Sequence, residues 1–212
     1  MNIQVFTFNA LQENTYLLWD ETKACIIIDA GCYDKEEQME LTSFIESNQL
    51  KPKLLLNTHS HIDHVLGNYF LKSKYNIPLK IYKGDESTLM AVKTYAPMYG
   101  MPLYQEQLPD GYIAAGESIC EGNIVLEILF VPGHAPGHIA FYHKASNSCI
   151  VGDVLFAGSV GRADLPGGNM GQLITSIKEV LYPLGDDTII FPGHGPKTII
   201  GREKNFNPFL RD

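Results

Sequence analysis

Seven histidines occur in the chain: His59, His61, His64, His134, His138, His143 and His194. Three of them fall within six residues, as His59-Ser60-His61-Ile62-Asp63-His64. Imidazole and carboxylate are borderline ligands that suit zinc, iron or manganese, and a site with three or so protein ligands keeps a coordination position for water. Along extended backbone, alternate side chains face the same way, so His59 and His61 can converge on one point; a chain turning into a helix then carries Asp63 and His64 toward a second. One loop can feed two metal ions but complete neither. The sequence offers three further donors: His134 in Val131-Pro132-Gly133-His134-Ala135-Pro136-Gly137-His138, Asp153 directly after Cys149-Ile150-Val151-Gly152, and His194 in Phe191-Pro192-Gly193-His194-Gly195-Pro196. Each follows an apolar, strand-like run, and the Gly and Pro around the two histidines set tight loops. A lone carboxylate at the end of a buried strand is costly unless a cation compensates it, which argues for Asp153 as a ligand. His138 and His143 are not needed to fill two sites. His138 is expected to support the site or its strand, and His143 to be an ordinary surface residue.

The elements that must position these side chains are legible from periodicity. Short β-branched and aromatic runs predict strands over 3–8, 15–19 and 24–29, joined as a meander. The spacing over 34–48 predicts an amphipathic helix, and 53–57 a buried strand that delivers the chain into the histidine loop. A helix over 65–75, a strand over 79–82 and a helix over 85–93 follow. Residues 94–112 contain Pro97, Pro102, Pro109, Tyr95, Tyr99, Tyr104 and Tyr112, the texture of a long irregular segment. Such a segment is either a substrate lid or an excursion packed by its own side chains, and Tyr99 is the candidate substrate contact on it. Beyond it, strands are predicted over 118–120, 124–131, 138–143, 148–152 and 188–191, with a helix over 172–182. No linker or low-complexity tract interrupts the chain, so one α/β domain over 1–212, with helices covering sheets, is expected.

Composition removes several classes. With 45% apolar and 19% charged residues, the chain has the balance of a soluble globular protein. No apolar run approaches the roughly 18 residues of a membrane span. No Lys or Arg precedes Lys23, so a secretory signal is not expected and the cytoplasm is the default compartment. The four cysteines are scattered and form no C-x-x-C pair; they are expected to be reduced and mostly buried. A formal charge of −8 argues against a nucleic-acid partner, since that affinity depends on neutralising phosphates.

In chain order, Thr58-His59-Ser60-His61-Ile62-Asp63-His64, Pro132-Gly133-His134-Ala135-Pro136-Gly137-His138, Val151-Gly152-Asp153 and Pro192-Gly193-His194-Gly195 resemble the motifs of the metallo-beta-lactamase superfamily, over residues 58–196. The resemblance implies an αββα sandwich of two mixed β-sheets with helices on the outer faces, and a dinuclear metal centre at one edge. Carried over residue by residue, it implies that His59, His61 and His134 hold one ion, that Asp63, His64 and His194 hold the other, and that Asp153 bridges them. Gly152-Asp153-Val154-Leu155-Phe156, Gly161-Arg162-Ala163-Asp164 and Asn207-Pro208-Phe209 are similar to the glyoxalase II branch, especially its compact bacterial members. Residues 195 to 212 follow the last ligand, so the helical glutathione-binding region of classical hydroxyacylglutathione hydrolases is expected to be absent, and the thiol carrier stays open.

The activity implied is hydrolysis of a small-molecule 2-hydroxyacyl thioester, such as a lactoyl thioester, to an acid and a free thiol. Two divalent ions, zinc first with iron or manganese as alternatives, would hold a bridging hydroxide oriented by Asp63 and Asp153. A thiolate, with a reference pKa of about 8.5, departs without a dedicated general acid. Arg162 either binds a substrate carboxylate or pairs with Asp164. The rival readings are a mononuclear iron persulfide dioxygenase, a lactonase or other hydrolase of the same fold, and a non-catalytic metal-binding protein. The oligomeric state is not readable.

Overall fold

The strand β3 (Ala24–Ile28) shows why the chain layers as it does. Ile26 and Ile28 point into one hydrophobic cluster while Cys25 and Ile27 point into another. A strand buried on both faces reads as a continuous apolar run because neither face can be polar. The computed structural model describes residues 1–211, and in it β3 lies inside a six-stranded mixed sheet. Its order is β1 (Asn2–Phe8), β2 (Glu13–Trp19), β3, β4 (Lys51–Leu56), β5 (Leu79–Tyr82) and β6 (Gly111–Ile113). The first three strands are the antiparallel meander expected from sequence; β3 to β6 run parallel.

The second sheet has the order β14 (Thr198–Ile199), β13 (Ile189–Pro192), β10 (Ser148–Gly152), β9 (Ile139–His143), β8 (Ile124–Phe130) and β7 (Ser118–Glu121). Only β10 and β13 pair in parallel. A small hairpin of β11 (Leu155–Phe156) and β12 (Ser159–Val160) follows β10. The inner faces of the two sheets meet in one core, with Leu18, Ile26, Leu56, Leu126, Phe141 and Ile150 among its members. Outside the first sheet, α1 (Lys35–Ser47), α3 (Asn68–Tyr75) and α4 (Glu86–Tyr95) set Leu41, Ile45, Leu71 and Leu89 against Leu17, Ile27 and Leu55. Outside the second, α5 (Met170–Ser176) and α6 (Ile200–Phe206) set Leu173 and Ile200 against Ala140, Cys149 and Ile190. Burying one such Leu or Ile side chain contributes about 1.5–3 kcal/mol. Three apolar layers between four structural ones make the αββα arrangement.

The helix predicted over 34–48 is α1, started by a capping box in which Asp34 accepts from the Glu37 amide and Glu37 reaches back to the Asp34 amide. The helix predicted over 65–75 is instead two pieces, the single turn α2 (Ile62–Val65) and α3. The break follows from Gly67, whose amide leaves the helical ladder to bond the Ala30 carbonyl at 2.7 Å. The helix predicted over 172–182 starts as α5 and continues over Ile177–Leu181 with wider, π-type hydrogen bonding. The free thiols of Cys25, Cys32 and Cys149 are buried and that of Cys120 is exposed. Among the described residues no helix is long and apolar enough to cross a membrane.

Candidate metal centre

Four strand ends, one from the first sheet and three from the second, meet at one rim. β4 ends at Leu56, and Asn57 and Thr58 lead into the His59 loop, which α2 closes with Asp63 and His64. β8 runs into the His134 loop, β10 into Asp153, and β13 into His194. The loops are tied to one another by backbone. The Ile139 amide bonds the Thr58 carbonyl at 2.9 Å and the Gly193 amide bonds the Gly152 carbonyl at 2.7 Å. Asn14, on β2, donates from Nδ2 to the Pro192 and Gly195 carbonyls and so clamps the His194 turn. Two glycines make this closeness possible. Gly152 has φ +50, and a Cβ there would lie 2.3 Å from Thr58 Oγ1; a Cβ at Gly193 would lie 2.1 Å from Asp153 Oδ1.

The side chains gather in adjoining groups of potential ligands: His59 with His61 and His134, Asp63 with His64 and His194, and, behind them, Asp29 with His59 and His64. In the first, His134 Nε2 lies 2.8 Å from His61 Nδ1 and 3.2 Å from His59 Nε2. In the second, Asp63 Oδ2 lies 3.1 Å from His194 Nε2 and 3.6 Å from His64 Nε2. Asp153 faces both. Its Oδ2 is 3.6 Å from His134 Nε2 and 3.5 Å from His194 Nε2, and its Oδ1 is 3.5 Å from His64 Nε2. All seven residues singled out in the sequence are therefore within one small volume.

The protons on these rings are fixed from behind. Thr58 donates its hydroxyl to Asp29 Oδ2 at 2.6 Å, so at 3.1 Å from His59 Nδ1 it accepts, and the lone pair of His59 sits on Nε2. His134 Nδ1 donates to the Arg162 carbonyl at 2.7 Å, His64 Nδ1 to Asp29 Oδ2 at 3.0 Å, and His194 Nδ1 to the Gln12 carbonyl at 3.1 Å. Each of these four imidazoles then turns its Nε2 inward, toward the other rings and toward carboxylate oxygens. Two lone pairs 3.2 Å apart repel, and both His64 Nε2 and Asp153 Oδ1 are buried without a hydrogen-bond partner. A cation is the group that satisfies such a set, and backing each ring by a carbonyl or carboxylate is how proteins orient histidine ligands. The residues present fit divalent ions.

Charge leads to the same conclusion. Burial, with the neighbouring rings, holds His59 well below the ordinary histidine range and takes His61 down to about 4, so both stay neutral and able to ligate. Burial also works against a proton on His64 and His194, yet the carboxylates outweigh it. Asp63, Asp153 and Asp29 raise His64, while Asp153 and Asp63 raise His194 to about 10. That half of the site demands positive charge.

Three residues outside the expected set complete the setting. Asp29 is fully buried, sits at φ +54, and accepts from the Thr58 amide at 2.7 Å as well as from Thr58 Oγ1 and His64. The signal that picked out Asp153, a carboxylate directly after an apolar strand, is equally present in Cys25-Ile26-Ile27-Ile28-Asp29. Glu13, also fully buried, lies 3.8 Å from His64 Nδ1. His138 lies beneath the site, stacked on the His59 ring at a centroid distance of 4.5 Å, and its Nε2 accepts from the Asp153 amide at 3.1 Å. His143 corrects the sequence expectation. It is buried, not a surface residue, because its Nδ1 accepts from the Ser146 amide and pairs with the Ser146 hydroxyl to cap the turn between β9 and β10.

Above the two groups opens a cavity of about 780 Å³, lined on its floor by His61, Asp63, His134, Asp153 and His194. Tyr99 and Arg162 both line it. Tyr99 belongs to a 3₁₀ turn over Ala96–Tyr99, and the irregular stretch after it is packed down through buried Met101 and half-buried Tyr104. Of the two alternatives read for Arg162, the pair with Asp164 is the one present here. Its Nε and Nη2 donate to Asp164 Oδ1 and Oδ2 at 2.7 and 2.8 Å.

The profile of the metallo-beta-lactamase superfamily matches residues 8–194. The chain belongs to that superfamily. It is 40% identical to the hydroxyacylglutathione hydrolase GloC of Haemophilus influenzae, over 99% of this chain and 98% of that protein. Among solved structures, the BLEG-1 B3 metallo-beta-lactamase superposes with a TM-score of 0.91 at 31% identity, covering 100% of both chains. TTHA1623 in a di-iron-bound form superposes with a TM-score of 0.88 at 34% identity, covering 98% of this chain and 100% of that one. Superfamily membership and these relatives make the protein a metal-binding hydrolase of this fold.

Proposed function

We propose that the protein hydrolyses a 2-hydroxyacyl thioester to the acid and the free thiol, at a centre of two divalent ions. His59, His61 and His134 hold one ion, Asp63, His64 and His194 the other, and Asp153 is shared. The observation that carries this reading is the Asp153 carboxylate, one oxygen toward His64 and the other toward His134 and His194, at the floor of a largely apolar cavity. The name of the Haemophilus relative supports the thioester. Zinc is the ion proposed, and the di-iron form of TTHA1623 supports iron as the alternative for this donor set.

When bound, such ions lower the pKa of a coordinated water toward neutrality and polarise an acyl carbonyl. The chain's own part is positional. Asp63 and Asp153 accept hydrogen bonds from the attacking water and aim it at the acyl carbon. Ile62, Ala91 and Leu165 line the space above. The attacking water loses a proton to solvent and adds its oxygen to the acyl carbon, the carbon–sulfur bond breaks, and the electron pair leaves on sulfur. Sulfur departs as thiolate, so no side chain need protonate it.

The test is a thioester assay on metal-loaded protein, paired with elemental analysis. The Asp153→Ala variant is expected to hold one ion or none per chain and to lose turnover; full occupancy with normal rate would overturn the shared role of Asp153. A second reading, opening of a β-lactam amide, is supported by the likeness to BLEG-1. An amide nitrogen must be protonated to leave, which a thiolate need not be, so the thioester is favoured. Turnover of a chromogenic cephalosporin faster than the thioester would reverse that order.

A further inference from the structure

The motif Asn207-Pro208-Phe209 has no part in the proposed chemistry, and neither has the carboxylate of Glu203, four residues before it. Glu203 is 1% exposed and Asn207 is fully buried. Enclosing a carboxylate is costly unless donors surround it, and three do. Glu203 Oε2 accepts from the Gly158 amide at 2.7 Å and from Asn207 Nδ2 at 3.0 Å, and its Oε1 accepts from the Thr198 hydroxyl at 2.6 Å. The Arg202 guanidinium stands farther off, with Nε 3.9 Å from Oε1. Asn207 Nδ2 also donates to the Ser159 carbonyl at 2.9 Å, and its Oδ1 accepts from the Phe209 amide at 3.1 Å. Both protons and the oxygen of that side-chain amide are thereby used.

Gly158 and Ser159 lie at the tip of the β11–β12 hairpin. The base of the same hairpin is built into the candidate metal centre. It starts directly after Asp153 and ends at Gly161 and Arg162, whose carbonyl accepts from His134 Nδ1 at 2.7 Å. Gly161 is packed so closely that a Cβ there would stand 1.9 Å from the Asp153 carbonyl oxygen and 3.2 Å from His134 Nδ1. Phe156 sets its ring edge to face against His194 at a centroid distance of 6.2 Å. A lone two-stranded hairpin is at best marginally stable, so its place depends on what grips it. Leu155 and Val160 are buried in the cluster outside the second sheet, but apolar burial is not directional. The directional grip at the tip comes from Glu203 and Asn207.

We propose that Glu203 and Asn207 are positioning residues for the metal centre. From the C-terminal segment they hold the tip of the hairpin, and its base then sets Asp153, the carbonyl that orients His134, and the ring beside His194. This inference rests on the metal-centre reading above and deepens it.

The test uses cobalt(II) as the probe on the full chain, because its visible absorption follows ligand geometry and is read without turnover. Affinity is measured by competition with a chelator. Glu203→Ala and Asn207→Ala are expected to change the cobalt spectrum and to weaken binding by about tenfold, the low end for residues that orient ligands from outside. Glu203→Gln is expected to keep both close to wild type, since its amide oxygen can accept from Gly158 and Asn207 while its amide nitrogen donates to Thr198. Thr198→Val is the control. It removes a partner from the same carboxylate on the β14 side, so Tm should fall while spectrum and affinity stay. An unchanged spectrum and affinity in Asn207→Ala overturns the inference. So does a spectrum altered as much by Thr198→Val as by Asn207→Ala, which would signify general loosening. Should Glu203→Ala fail to fold, Asn207→Ala and Glu203→Gln decide, and a folded Glu203→Gln that loses the wild-type spectrum overturns the role given to these hydrogen bonds. Wild-type protein that takes up no cobalt defeats the metal-centre reading, and this inference with it.

Discussion

Asp29 illustrates how much of the site is held by residues outside the seven proposed ligands. It accepts from the Thr58 amide, from the Thr58 hydroxyl and from His64 Nδ1, so one carboxylate sets the proton positions of both His59 and His64. Asp29→Ala leaves all seven proposed ligands in the chain yet is expected to weaken metal binding by about 10- to 100-fold, the usual cost of losing such a partner. Competition with a chelator measures this; unchanged affinity would mean that the rings are oriented by something else. His143 gives the opposite expectation. Its ring is buried and caps a turn away from the metal groups. His143→Ala should lower stability by about 1–2 kcal/mol through the lost hydrogen bond and side-chain contacts, read as a shifted denaturant midpoint. Metal content per chain should not change.

At the scale of elements, the site is a set of strand ends whose loops approach to contact distance. Gly193 is the closest point, since a Cβ there would stand 2.1 Å from Asp153 Oδ1 and 2.7 Å from His64 Cε1. Gly193→Ala is expected to displace Asp153, lowering metal content and activity while the far-UV circular dichroism stays native; retained full occupancy would show that the loop yields freely. Most elements were legible because each advertises itself locally. The alternation that sends Ile26 and Ile28 to one face and Cys25 and Ile27 to the other needs only five residues to appear. The elements that were not legible are two or three residues long, such as β6, β11, β12 and β14. They are strands only because a neighbouring strand is there to pair with, and no run of that length carries a period. The short α6 has the same origin, since Ile200 is pinned against the second sheet and its amide bonds the Thr188 carbonyl.

For the whole molecule, the proposed ions would act as a cross-link. Both sheets and four separate loops bring candidate ligands to one place, and the unfolded chain offers no such preformed site, so the free energy of binding ions there would add to folding free energy. Stripping the protein with a chelator should lower its Tm by several degrees, on the size scaling of a chain this long. Restoring the ion should recover Tm and activity together. An unchanged Tm would argue that the loops are rigid without metal.

The sequence by itself determined the donor types, their placement directly after apolar strands, and the layered α/β class, because those depend on covalent order and on periods of two and about 3.6 residues. The tertiary structure alone decided that His59 and His134 meet across two sheets, which ring nitrogen faces inward, that His143 is buried and that Arg162 is held by Asp164. These depend on which strands become neighbours and how their ends stagger. Neighbourhood across 75 residues of chain, as between His59 and His134, is a property of packing, on which local spacing is silent.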